Sequence, residues 1–236
     1  MNSNKIKKPL ILGILFFLPV LFLLFLYPST HNYDPLEIVK NNVPELENQE
    51  DGLKLKDQIT VLGFFGSKPM DNVIAASNLK ELIYDKFKGF KRFQVVVYMP
   101  EGSKQEYDKF KYEISQYEEL EYWKFLFGSD NEIKGFYNQL LTESPLKSDL
   151  STDEVFIIDK DLSQRGRIDD RADNEIERQE KIYPLYSYNC IEVAELKNKM
   201  GEDMRILFTE YRQKRKGNFD SSSRRADDIK VEDEKN

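Results

Sequence analysis

Residues 58–87 read Q-I-T-V-L-G-F-F-G-S-K-P-M-D-N-V-I-A-A-S-N-L-K-E-L-I-Y-D-K-F, from Gln58 to Phe87. Ile59 to Phe65 form an apolar run, too short for a free-standing helix and rich in strand formers. Gly66-Ser67-Lys68-Pro69 breaks it. Val73, Ala76, Leu79, Leu82 and Ile83 then recur three and four residues apart, which is helical spacing. A buried strand, a short loop and a helix make the first half of a βαβ unit. In α/β folds the loop at the carboxyl end of such a strand is the usual place for chemistry. This loop holds no Cys, no His and no Gly-rich phosphate cradle.

Outward from this stretch the pattern stays α/β. Phe93 to Met99 read as a second buried strand, ended by Pro100-Glu101-Gly102. Ser103 can cap a helix with Tyr107, Phe110 and Ile114 on one face. Tyr122 to Phe127 read as an aromatic strand. Ser129-Asp130 open a helix with Ile133, Phe136, Leu140 and Leu141 as its stripe, closed by Pro145. Val155 to Asp159 form a third strong strand, and Arg165 to Asp169 its antiparallel partner. Asp169 to Lys181 are dense in charge and read as an exposed loop. The last helix starts at Cys190 or Ile191, with Val193, Leu196, Met200, Ile206, Leu207 and Tyr211 as apolar markers. Parallel crossovers, a hairpin and a final helix predict a mixed, thioredoxin-like sheet.

Towards the amino terminus, Pro9 to Tyr27 are uninterrupted apolar residues. As a helix they would rise about 28 Å, close to the hydrocarbon thickness. Lys5, Lys7 and Lys8 precede them with no acid, which favours an inside location for residues 1–8. We expect one uncleaved anchor at 9–27, a tether at 28–43, the folded domain at 44–211 and a disordered tail at 212–236. Asp51-Gly52 reads as a turn between two short extended pieces.

The chain has 236 residues and a formal net charge of −7, which argues against nucleic-acid binding because no basic excess offsets phosphate repulsion. One cysteine, Cys190, permits no intramolecular disulfide. One histidine, His31, lies far from it, so a soft-metal site built from this chain alone is not expected. No Ser-His-Asp set can be assembled with the only His in the tether.

Several segments resemble the SCO/SenC family, membrane-anchored thioredoxin-fold copper chaperones of cytochrome oxidase assembly. The likeness covers roughly Pro44 to Asp169. Asn48-Gln49-Glu50-Asp51-Gly52 is similar to the family's D-x-x-G turn. Val61-Leu62-Gly63-Phe64-Phe65-Gly66-Ser67 looks like its strand and the F-T-x approach to the metal loop. Gln94-Val95-Val96-Val97 resembles its next strand. Tyr122-Trp123-Lys124-Phe125-Leu126-Phe127-Gly128-Ser129 is similar to its W-x-F-L-T-G segment, and Val155-Phe156-Ile157-Ile158-Asp159-Lys160-Asp161 to its Y-L-I-D-P-D-G strand and turn. The family's chemistry needs a C-P-x-x-C-P loop and a distant His, two thiolates and an imidazole that bind copper, with the thiols also forming a reversible disulfide. The resemblance places the first Cys position on Lys68, before a retained Pro69, the second on Asn72, and the His near Ser151. All three ligands are absent, so the resemblance implies an SCO-type domain without its metal and redox groups.

The remaining candidates have a plain reading beside the functional one. Lys68, with Ser67, Pro69 and Asp71 around it, could bind an anion at a helix start, or be a solvated loop lysine. Asp71 or Asn72 reads as a helix N-cap. Cys190 could be a redox thiol, but has no resolving partner and reads as a packed one. The aromatic set Tyr122, Trp123, Phe125 and Phe127 reads as core packing rather than a binding strip. Arg165, Arg167 and Arg171, among Asp169, Asp170 and Asp173, read as a solvated, self-compensating surface. The expectation is therefore a non-enzymatic binding or assembly factor without cofactor, held in an inner membrane with its domain on the periplasmic side, and with a protein partner. A redox role for Cys190 and weak metal binding by carboxylates near the loop are the alternatives.

Overall fold

The computed structural model describes residues 12–22, 35–48, 52–116 and 119–215 of the chain, in two units, Met1–Asp34 and Pro35–Asn236. In the first unit, residues 12–22 are helical and their side chains are largely exposed. Among the described residues no helix is long and apolar enough to cross a membrane. The ends of the expected anchor, His31 and most of the expected tail lie outside the described residues.

The second unit is built on one mixed sheet. Its strands are β1 (Glu37–Lys40), β4 (Ile59–Phe65), β5 (Phe93–Pro100), β6 (Trp123–Gly128), β7 (Ser151–Ile158) and β8 (Gln164–Gly166), in the order β1-β8-β7-β4-β5-β6. A short strand β9 (Tyr188–Asn189) lies along β7 where β8 has ended. The hairpin of β2 (Glu47–Asn48) and β3 (Leu53–Lys54) turns at Gly52, in the left-handed region as Asp51-Gly52 predicts. β4, β5 and β6 are parallel, whereas β7 runs antiparallel to β4, and β8 to β7. The central unit β5-β4-β7-β8 is therefore two parallel strands joined by a helical crossover, then an antiparallel hairpin, then a last helix. That connectivity is thioredoxin-like.

Helices cover both faces, so β4 and β5 are buried at every residue, as their continuous apolar runs require. On one face lie α1 (residues 73–87), α2 (Lys104–Ser115) and the last helix, α5 (residues 195–215). α1 is Val73–Leu79 running on through a π-helical stretch, Lys80–Tyr84, to Asp85–Phe87. α5 is π-helical over Glu195–Met200 and α-helical over Gly201–Arg215. This face packs Val61, Phe65, Val95, Val97 and Ile157 against Leu79, Phe110 and Leu207. The other face packs Leu62, Phe64, Val96 and Phe156 against α3 (Asp130–Tyr137) and the chain around β2 and β3. Phe64 meets Tyr137 edge-on at 5.2 Å between ring centres.

Four features differ from expectation. The sheet begins inside the expected tether, because β1 pairs with β8 and Leu36 O accepts a 2.5 Å hydrogen bond from Arg165. α3 ends at Tyr137, well before Pro145. The Leu141 backbone is captured by the Gln164 side chain, which accepts from its N–H at 2.8 Å and donates to its C=O at 2.7 Å. Ser103 does not cap α2; it is fully buried and its hydroxyl donates to Pro100 O. The last helix runs to Arg215, past Tyr211. By contrast Ser129 and Glu132 form a complete capping box on α3.

The basic and acidic residues after β7 correct the sequence reading most. Arg165 is buried, with its Nε 2.6 Å from Asp159 and its Nη2 3.2 Å from Glu210, both almost fully buried. Arg167 holds Asp203 at 2.9 Å and Asp170 at 2.8 Å. Asp203 also accepts from the buried Tyr188 hydroxyl at 2.7 Å, and Asp170 pairs with Lys199. These groups tie α5 to β8 from beneath. Burial alone would lower the Arg165 pKa; the charges of Glu210 and Asp159 more than offset this and raise it. Only Arg171, paired with Asp169, keeps to the expected local surface pairing. The loop at 169–181 carries a short helix, α4 (Asp173–Glu177).

Removing one member of such a cluster leaves buried charges uncompensated. Arg165→Ala is expected to lower unfolding stability by about 3–5 kcal/mol in urea titration, whereas Lys54→Ala, which breaks an exposed pair with Asp57, is expected to change it little.

Candidate functional site

The candidate site is the carboxyl end of β4. Gly66 turns the chain with φ +67°, and a Cβ there would lie 2.7 Å from Asp149 O and 2.9 Å from Ser151 Cβ. Glycine is needed both for the left-handed conformation and for the close approach. Ser67 N–H donates to Asp149 O at 2.8 Å, so the loop is stitched to the segment entering β7. That segment turns tightly: Lys147 N–H donates to Ser151 O, Leu150 N–H to Lys147 O, and Leu150 has φ +68°. A left-handed leucine is an uncommon conformation, held here by these bonds and by burial of its side chain.

The three positions that the resemblance matches to ligand positions, Lys68, Asn72 and Ser151, lie around this end of the strand. Ser151 is the ladder partner of Phe65. Asn72 is buried, and its Nδ2 donates to Phe65 O at 3.0 Å. Lys68 lies between Ser67 and Pro69 with its side chain exposed. Pro69 opens a 3-10 turn, Pro69–Asn72, in which Asp71 is exposed. Neither Asp71 nor Asn72 makes the expected side-chain cap. Asn72 instead reaches back to tie the turn to the strand it follows.

This donor set does not fit a soft copper ion. Lys68 brings a cation, the Asn72 amide nitrogen is committed to Phe65 O, and the Ser151 hydroxyl donates to Asp149 Oδ1 at 2.8 Å. Among the described residues no group of three or more His, Cys, Asp or Glu is placed to hold a metal ion.

Cys190 follows β9 and is bonded to Asp153 and Asn78: its N–H donates to Asp153 O, and its carbonyl accepts from Asn78 of α1. It is fully buried. Burial pushes its thiol well above the ordinary range, and the charges of Glu154, Asp153 and Glu195 push it further. A nucleophilic thiol needs the opposite environment, exposed and electropositive. The alternative that uses Cys190 for redox chemistry has no such setting here.

Two features of this region were not foreseen. The Asp149–Ser151 turn is polar and short, and nothing local marks it as the partner of residue 66. Glu154 is half-buried beside Cys190; burial raises its pKa, a hydrogen bond from Ser187 works against that, and Glu195 and Asp153 add to the rise. The aromatic set divides: Phe127 is partly buried against the same core as Trp123 and Phe125, whereas Tyr122 is exposed and does not join it. Trp123 and Phe125 are buried, and Phe125 packs edge-on against Tyr107 and Phe110.

No known family's sequence profile matches the chain, and no curated protein sequence does. Solved structures similar to it include a SCO1/SenC family lipoprotein from Bacillus anthracis, at 19% identity and TM-score 0.43 over 71% of this chain and 94% of that one. The apo Sco1 protein from Thermus thermophilus is similar at 13% identity and TM-score 0.39 over 75% and 97%. A candidate thiol:disulfide interchange protein DsbE from Chlorobium tepidum is similar at 14% identity and TM-score 0.41 over 75% and 99%. The fold assignment rests on the connectivity described above.

Gly66→Ala is expected to destabilise the domain by more than about 1 kcal/mol, since the native backbone there is incompatible with a side chain; thermal melting reads this. Glu154→Gln is expected to stabilise it at neutral pH. The raised carboxyl pKa means that the folded state binds this proton more tightly than the unfolded one. The stability from that group is full below the ordinary carboxylate pKa and is lost as pH rises through the raised value. The advantage of the amide should therefore fade on acidification, as urea titrations across pH would show.

Proposed function

We propose that this protein is a membrane-anchored, outward-facing domain of thioredoxin-like fold that works as a binding or assembly factor, without copper or thiol–disulfide chemistry of its own. The observation that carries this reading is the donor set at the end of β4. The turn is built and stitched in place by Gly66, Ser67 and Asn72, yet it presents lysine, amide and hydroxyl groups. The one thiol of the chain is sealed in the core. A scaffold kept in shape without reactive groups offers a surface.

The anchor is inferred from the apolar run Pro9 to Tyr27 and the lysines before it. That orientation places the domain on the periplasmic side of an inner membrane. The resemblance to SCO/SenC proteins makes maturation of a respiratory complex or another envelope protein the natural setting, by analogy of fold. The exposed Lys68, beside the retained Pro69, marks the face for a protein partner.

A photo-crosslinking side chain at position 68, in the full chain and its native membranes, tests the reading against one at Tyr112 on α2. The expected result is a discrete protein adduct from position 68 only, unchanged by copper chelation or thiol blocking. No adduct, or one that chelation abolishes, would count against it.

A further inference from the structure

The insertion between β8 and β9 carries four exposed apolar side chains, Ile168, Ile176, Ile182 and Tyr183. They sit on one folded unit. Arg167 and Leu185 bond backbone to backbone in both directions across its base, and Asp170 N–H donates to Tyr183 O. The Tyr183 hydroxyl donates to Glu175 Oε2, which joins the returning chain to α4. Arg171 donates to Glu180 O across the insertion. The segment is therefore held in shape by polar bonds while its isoleucines stay in water. Scattered exposed apolar residues need no explanation, but four on one short insertion do.

Its position on the domain supplies the occupant. Ile168 N–H donates to Glu37 Oε2 at 2.6 Å, so the insertion starts against β1. β1 is the edge strand that the chain enters directly from Pro35, and seven residues, 28–34, separate Pro35 from the apolar run ending at Tyr27. Fully extended, seven residues reach about 25 Å. The insertion therefore lies beside the strand by which the chain enters the domain. We propose that it rests in the membrane interface, with the isoleucines in the headgroup–acyl boundary and the amphipathic Tyr183 at headgroup level. The inference rests on the anchored reading above.

Three acids of the insertion are engaged, whereas Asp173, Glu177 and Glu180 are exposed, the last beside Arg178. Asp169 pairs with Arg171; Asp170 is buried against Arg167 and Lys199; Glu175 accepts from Ala172 N–H and Tyr183. Contact is then driven by apolar burial and suits a zwitterionic surface better than an anionic one.

The test uses the full chain in phosphatidylcholine nanodiscs at one copy per disc. A spin label is placed at Ile176→Cys, with Tyr112→Cys as reference; the native Cys190 is buried and takes no label. Tyr112 is 67% exposed against 48% for Ile176, and lies on α2, which packs against the β6 edge opposite β1. The expected result is a several-fold higher ratio of oxygen to nickel-chelate accessibility at 176 than at 112, lost when Ile168→Asp and Ile182→Asp are added. Equal ratios in anchored protein would overturn the proposal. Shielding at 176 that appears only with several copies per disc would assign the patch to self-association and overturn it too. Chain that does not stay with the discs would instead overturn the anchored reading, and this inference with it.

Discussion

Everything at the candidate site follows from β4 being closed in on all sides. It pairs with β5 and β7, and helices or the chain around β2 and β3 cover both its faces. A strand so enclosed can leave the sheet only at its end, and there it must turn at once. Gly66 makes that turn by adopting a conformation that a side chain would strain, against the backbone of Asp149 and Ser151. The loop, the start of α1 and the start of β7 are therefore forced together by the topology, whatever side chains they carry. In a chain with sulfur and imidazole at these positions the same constraint would assemble a ligand set. Here it assembles Lys68, Asn72 and Ser151, and the amide of Asn72 serves to hold the turn.

A second constraint acts at the far side of the sheet. β8 is only three residues long and could not hold α5 by apolar packing alone. Arg165 of β8 and Arg167 just after it pair with Glu210 and Asp203 of α5, and Asp159, just past β7, completes the first cluster. Buried ion pairs are weak contributors to net stability, yet breaking one is costly, so they specify position more than they add strength. Two such clusters on one helix fix its register against the sheet. The π-helical stretches in α1 and α5 pack against each other on the same face.

The parts of this arrangement that were legible in the sequence are those written in contiguous residues. The apolar runs at 59–65 and 93–99, the helical spacing after Val73 and the glycine turn at Gly52 are local patterns that match the elements found, and the run at 155–159 marks β7, which starts earlier at Ser151 and ends at Ile158. The ion clusters were misread because charge density resembles surface. Arg165 and Glu210 are 45 positions apart, and Arg167 and Asp203 are 36 apart, so no local pattern joins them. Asn72 has the residue type of a cap, but its amide donates instead to the Phe65 carbonyl at the end of β4. Burial of Cys190 depends on β9 and α1 meeting over it, which is a tertiary fact. The candidate ligand positions were found through family resemblance, not through any signal of their own.

The central claim is that this turn, as built, carries no copper ligands. Titration of Cu(I) into the full chain, beside a variant carrying Lys68→Cys, Asn72→Cys and Ser151→His, tests it most directly. The account predicts no stoichiometric binding by the native chain, and one equivalent bound by the variant. Stoichiometric binding by the native chain would contradict it.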